Sequence, residues 1–171
     1  MNITGDKKIT SQAEVSDYIQ LLARLSFGAT IIFIPFRYRT VLFARPLPPI
    51  YRDFTDFLLF ASDFFMLATL LFWGIRVLLT RKRIQTGPFF LTYPLLAVLL
   101  VAGVSVAGSV DRALSLYHFV RLVFLAGLYL YIINEVRSLK EVAIPILVQT
   151  LIQSWVGVAQ TLAQHSLGLY S

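Results

Sequence analysis

Long apolar runs separated by short polar or basic breaks dominate this chain. A polar stretch, Met1 to Asp17, gives way to an apolar run from Ile19 to Phe36. Further runs cover Phe57 to about Leu79, Phe89 to about Val110, Leu114 to Ile133 and Val142 to about Ala163. Each is close to the roughly 20 residues that a helix needs to cross about 30 Å of hydrocarbon. Backbone in lipid must satisfy its own polar groups, so runs of this length read as helices. The pattern predicts an all-α, polytopic transmembrane helical bundle of about five spans, forming a single domain over residues 1–171.

The breaks sharpen this reading. Ser11 and Glu14 form an S-x-x-E capping box, which predicts a helix starting near Gln12. The first run is followed by Arg37, Tyr38 and Arg39 instead of a small-residue cleavage site, so it reads as a span and not as a signal peptide. Its one charge, Arg24, lies close enough to the start to snorkel to the headgroups. The segment from Arg37 to Phe54 carries Pro46, Pro48 and Pro49 and reads as a loop. Pro94 is placed near the entrance of the third span, where a missing donor costs least. Gly108 to Arg112 is too short for a domain and joins spans three and four into a helical hairpin.

Composition agrees with the pattern: the 171 residues are 57% hydrophobic and 14% charged. Without cysteine there is no disulfide framework, thiolate zinc site, iron–sulfur cluster or cysteine nucleophile. The net charge of +6 would raise nucleic-acid binding for a soluble protein. Here most cations sit in short segments between apolar runs and set orientation instead, so no nucleic-acid partner is expected. A cytoplasmic N-terminus puts nine cations inside: Lys7, Lys8, Arg24, Arg76, Arg81, Lys82, Arg83, Arg137 and Lys140. Five fall outside, Arg37, Arg39, Arg45, Arg52 and Arg112, and Arg121 lies within a span. That asymmetry favours the cytoplasmic N-terminus.

Ionisable groups at membrane depth are costly and so are functional candidates. Asp63 is placed about six residues inside the outer end of span two, and Arg121 about seven inside the outer end of span four. At 1.5 Å per residue both lie roughly 9 to 11 Å deep, at one level and with opposite charge. They are expected to pair or to share a polar cavity; a structural ion pair that only fixes register is the alternative. His118 stands one turn from Arg121, and His165 lies at the outer end of span five, but no metal-ligand spacing is present and no metal is expected. Gln149, Gln153, Gln160 and Gln164 share one helix face, which should look into protein or water, either as interhelical hydrogen bonding or as a lining for a hydrophilic substrate. In the first outer loop Arg37, Arg39, Arg45 and Arg52 alternate with aromatic residues, which suits an anionic lipid head, a polyprenyl diphosphate or plain interfacial anchoring.

The segments YRDFTDFLLFASDFFMLATLLFWGI, SVAGSVDRALSLYHFVRLVFLAGLYLYIINEVRSLKE and QTLAQHSLGLY, in that order, resemble the N-terminal part of the O-antigen ligase and polymerase family. The resemblance covers about residues 19–171. It implies a larger glycosyltransferase-like membrane fold that moves a glycan from undecaprenyl diphosphate to an acceptor sugar, without metal or cofactor. The setting would be the outer face of a bacterial cytoplasmic membrane, in surface polysaccharide assembly. In that family the essential arginines and histidine lie mostly in a large periplasmic loop of the C-terminal half, so no catalytic residue carries over. The resemblance further implies a truncated or split protein, inactive without its remaining half, in which Arg37, Arg39, Arg45, Arg52 and Arg121 help hold the diphosphate. The rival expectation is a small non-enzymatic membrane scaffold or transporter component.

Overall fold

The computed structural model describes residues 3–36, 38–45 and 56–163. Five helices follow in order: α1 (Ile3–Phe33), α2 (Ala61–Thr80), α3 (Phe89–Gly108), α4 (Arg112–Glu135) and α5 (Lys140–Ala163). Two short strands, β1 (Arg39–Phe43) and β2 (Phe57–Phe60), lie between α1 and α2. The chain is an all-α bundle, and α2, α3, α4 and α5 are long and apolar enough to cross a membrane. The apolar stretch of α1 carries Gln20 and Arg24 and ends with the helix at Phe33, and this helix packs beside α2 and α5.

Three local expectations are corrected. The Ser11–Glu14 capping box does not start a helix, because α1 already begins at Ile3. Once a helix has nucleated, each added residue costs little, and the polar segment upstream of Ser11 contains no proline to stop it. At the other end α1 closes at Phe33, since Pro35 pushes Ile34 away from the helical region. The second correction concerns residues 57–60, which form a strand instead of the first turn of a helix. β2 pairs antiparallel with β1, Arg39 facing Phe60 and Val41 facing Leu58, so part of the supposed loop has a regular ladder. Thr40, Val41 and Phe43 favour a pleated strand, and the ribbon continues into α2 through the Ala61 N–H, which donates to the Tyr38 carbonyl at 3.0 Å. Pro46, Pro48 and Pro49 lie outside the described residues. Third, Pro94 sits inside α3 in its second turn, where it removes a ladder bond that the helix would otherwise make.

The core lies where α1, α2 and α4 meet. Ala23, Phe27, Trp73 and Tyr131 are buried together, with the Phe27 and Tyr131 rings 5.2 Å apart and Trp73 meeting Tyr131 edge-on at 6.1 Å. Buried hydroxyls are satisfied locally: Thr30 donates to the Ser26 carbonyl and Thr69 to that of Phe65. α2 and α4 run parallel, as their contacts advance together from Asp63–Arg121 through Leu70–Gly127 to Arg76–Glu135. α3 is antiparallel to α4, joined by Thr92 to Tyr129 near one end and Gly103 to Phe119 near the other. α5 follows α1 in the same direction through Arg24–Glu141 and Gly28–Pro145. None of the described residues of α3 or α5 is fully buried.

This path gives the bundle two distinct ends. One carries the β ribbon and the α3–α4 turn, tied where Arg45 meets Asp111. The other carries the α2–α3 and α4–α5 connections, tied where Gln85 meets Asn134.

Candidate functional site

The α2–α4 interface is bracketed by two ion pairs of opposite polarity. At the ribbon end α2 supplies the acid, Asp63, and α4 the base, Arg121, with Nη2 to Oδ1 at 3.0 Å. At the other end α2 supplies the base, Arg76, and α4 the acid, Glu135, at 2.5 Å. Along α2 the two partners are 13 residues apart and along α4 they are 14 apart, rises of roughly 20 and 21 Å. A shift of register between these helices would break both pairs at once.

Asp63 is nearer its helix end than expected, because α2 starts at Ala61 and Asp63 lies in the first turn. There its second oxygen accepts the Phe60 N–H at 3.2 Å, and the carboxylate faces the positive end of the helix dipole. Arg121 is held on three sides. Beyond Asp63, it stacks over the rings of Phe60 and Tyr117, at 5.1 and 5.7 Å, and its Nη1 reaches the Tyr117 hydroxyl at 3.4 Å. Tyr117 in turn donates to the Leu58 carbonyl, so the ribbon is fastened to α4 through the same group.

A cleft of about 600 Å³ opens beside this pair between α1, α2 and α4. Its polar end is formed by Asp63, Arg121 and His118; Ile34, Met66, Leu122, Leu125 and Leu128 make the wall apolar. The Arg121 side chain is one-third exposed, so it keeps donors available while Asp63 is almost fully covered. This arrangement suits an amphiphile, with a hydrocarbon chain along the wall and an anionic head at the arginine.

The other arginines proposed for the loop diverge. Arg45 is committed to Asp111, with Nη1 at 3.1 and 2.8 Å from the two carboxylate oxygens, and its own N–H donates to Asp56 at 2.6 Å. The Leu114 N–H at the start of α4, then the Arg45 guanidinium and the Ala113 N–H, hold the Asp111 carboxyl below its ordinary value of 3.8. Arg39 borders a neighbouring aromatic cleft with Tyr38, Phe60 and Phe64, so Phe60 is shared by the two clefts. Arg37, Arg52, Gln164 and His165 lie outside the described residues. On α5 the remaining glutamines, Gln149, Gln153 and Gln160, are partly buried, whereas Thr150, Leu151, Ile152, Ser154 and Trp155 are exposed. Among the described residues no group of three or more His, Asp and Glu side chains gathers as a metal site requires.

Sequence reasoning missed the second charged centre. Glu135 is only 2% exposed and collects Arg76, the Gln20 amide at 3.3 Å and Lys82 at 3.9 Å. Arg76 enters the sequence pattern only as one of the nine inner cations, and Glu135 only as a polar residue just past the fourth apolar run. The available signal was the matched spacing of Asp63 to Arg76 and Arg121 to Glu135, with charge order reversed. No family model, curated protein or solved structure matches the chain.

Proposed function

We propose that the protein takes part in glycan transfer from a polyprenyl diphosphate, as an O-antigen ligase or polymerase-like component of surface polysaccharide assembly. In this reading it lies in a bacterial cytoplasmic membrane with its N-terminus inside, and the ribbon end faces outward. Its own contribution is to seat the lipid-linked donor. The observation that carries the reading is the apolar cleft of α1, α2 and α4 with Arg121 at its polar end. A guanidinium there reduces repulsion as the diphosphate leaving group gains charge, and a long hydrocarbon wall selects a lipid-linked donor.

A photoreactive polyprenyl diphosphate offered to the protein in membranes should label residues near Met66 and Leu122. Excess unlabelled diphosphate should suppress that labelling, and R121A should weaken it about tenfold or more, since a charge-assisted phosphate contact is worth about 1.5–3 kcal/mol. Filling the cleft with L125W should abolish labelling while leaving helical content intact. Equal labelling of the wild type, R121A and L125W would sink the reading.

A non-enzymatic scaffold is the second reading, favoured by the uncovered faces of α3 and α5. Helices of this kind gain van der Waals contact and polar pairing by meeting other spans. Loss of assembly on substituting α5, with diphosphate labelling unchanged, would favour it.

A further inference from the structure

The end of the bundle opposite the ribbon carries charge that the protein does not neutralise. Arg81, Lys82 and Arg83 follow α2, Arg137 follows α4 and Lys140 opens α5, and all five are exposed. Of the acids at this end, Glu135 is buried against Arg76 and Glu141 lies 3.8 Å from Arg24, which leaves the exposed Glu14 and Asp17 of α1 against the five exposed cations. Lys82 reaches Glu135 only at 3.9 Å. Among the described residues Arg81, Arg83, Arg137 and Lys140 form no ion pair. Cations at the ends of spanning helices stand at headgroup level.

These cations are mounted on a fixed support. Asn134, on α4, grips the α2–α3 connection twice: its Oδ1 accepts the Gln85 N–H and its Nδ2 donates to the Gln85 carbonyl, both at 2.8 Å. One residue on, the Thr86 carbonyl accepts the Thr92 hydroxyl at 2.6 Å. Gly87 has φ +82°, and a Cβ there would fall 2.4 Å from Ile133 Cδ1, so the connection lies against α4. Arg81 itself adopts φ 48°, a left-handed helix cap at which glycine is favoured. The bulky cation therefore occupies a position that backbone preference alone would give to a smaller residue.

We infer that the α2–α3 and α4–α5 connections form one built surface for the phosphate headgroups of anionic membrane phospholipids. Its guanidinium groups fork onto phosphate oxygens, and the Asn134 grip fastens the connection that carries Arg81 and Arg83 to the end of α4, which Arg137 follows. The inference is independent of the glycan-transfer reading, which concerns the opposite end.

The test uses the full chain in nanodiscs of phosphatidylcholine with a minor share of phosphatidylglycerol, and reads the lipids retained by native mass spectrometry. Wild-type protein should be enriched in phosphatidylglycerol, and millimolar inorganic phosphate should not displace it. Neutralising Arg81, Arg83 and Arg137 to Gln should lower the enrichment by about fivefold per cation. R112Q, at the ribbon end, should leave it unchanged. N134A keeps every charge yet should also lower it, because the support is released; Gln85→Pro, which deletes the N–H that Asn134 accepts and also fixes φ there, repeats that test if N134A loses helical content. Displacement by free phosphate would mean a soluble anion site. Equal enrichment in the wild type and the triple variant, an equal loss in R112Q, or wild-type enrichment in both N134A and Gln85→Pro would overturn the inference.

Discussion

Asp63 and Glu135 both meet an arginine across the same pair of helices, but their surroundings differ. Asp63 shares its charge with the Phe60 N–H and with a partner one-third exposed beside an open cleft. Glu135 is closed in, 3% exposed at its side chain, and answers to α1, α2 and the α2–α3 connection together. The contrast teaches where this interface stores stability and where it keeps chemistry available. An acid drawing on three segments locks the bundle, whereas a pair with one exposed member can still receive a ligand.

The sharpest way to break the comparison is E135A. It would leave Arg76 buried without its partner and should cost about 3–5 kcal/mol in unfolding measured in detergent micelles. An effect no larger than that of R121A would erase the distinction. Next comes overpacking between the two pairs. Gly127 lies where an added Cβ would be 3.2 Å from Leu70, so G127L should push α2 from α4 and cost about 1–3 kcal/mol. It should also loosen both ion pairs, which distance measurements between spin labels on α2 and α4 would show.

R121A should cost less, about 1–2 kcal/mol, because its partner retains the Phe60 N–H and Arg121 is itself one-third exposed. Its larger consequence is expected in diphosphate labelling, and a stability loss matching E135A with labelling intact would reverse the assigned roles. The smallest effect concerns the ribbon tie. The Asp111 carboxyl is depressed below 3.8 in the folded protein, so the tie contributes above pH 3.8 and is lost as pH falls through its lower folded value. Hydrogen exchange at the Leu114 amide should therefore quicken in strongly acidic solution, after correction for intrinsic rates, and D111N should remove that pH dependence.

Much of the frame was legible in the chain. Apolar runs of bilayer length locate α2 to α5, because a backbone without water must pair with itself wherever lipid surrounds it. Asp63 and Arg121 drew attention through the same cost, and the structure puts them in contact. The shared face of Gln149, Gln153 and Gln160 follows from helix periodicity and is the more covered side of α5. The ribbon was not legible. Phe57 to Phe60 is apolar enough to continue a span, and only pairing with a strand 14 residues upstream, from Phe43 to Phe57, makes it extended. Nor was the Glu135 centre, since Gln20, Arg76 and Lys82 belong to segments far apart in sequence.

By itself, then, the order of residues determined that the chain fills lipid with helices, and which side chains would be costly there. Hydropathy and periodicity are local, additive properties, so a linear reading captures them. Which acid meets which base, and whether the meeting is sealed or opens on a cleft, was decided by the tertiary structure. Burial and pairing depend on neighbours brought from other helices, and the α2–α4 register sets both charged centres together.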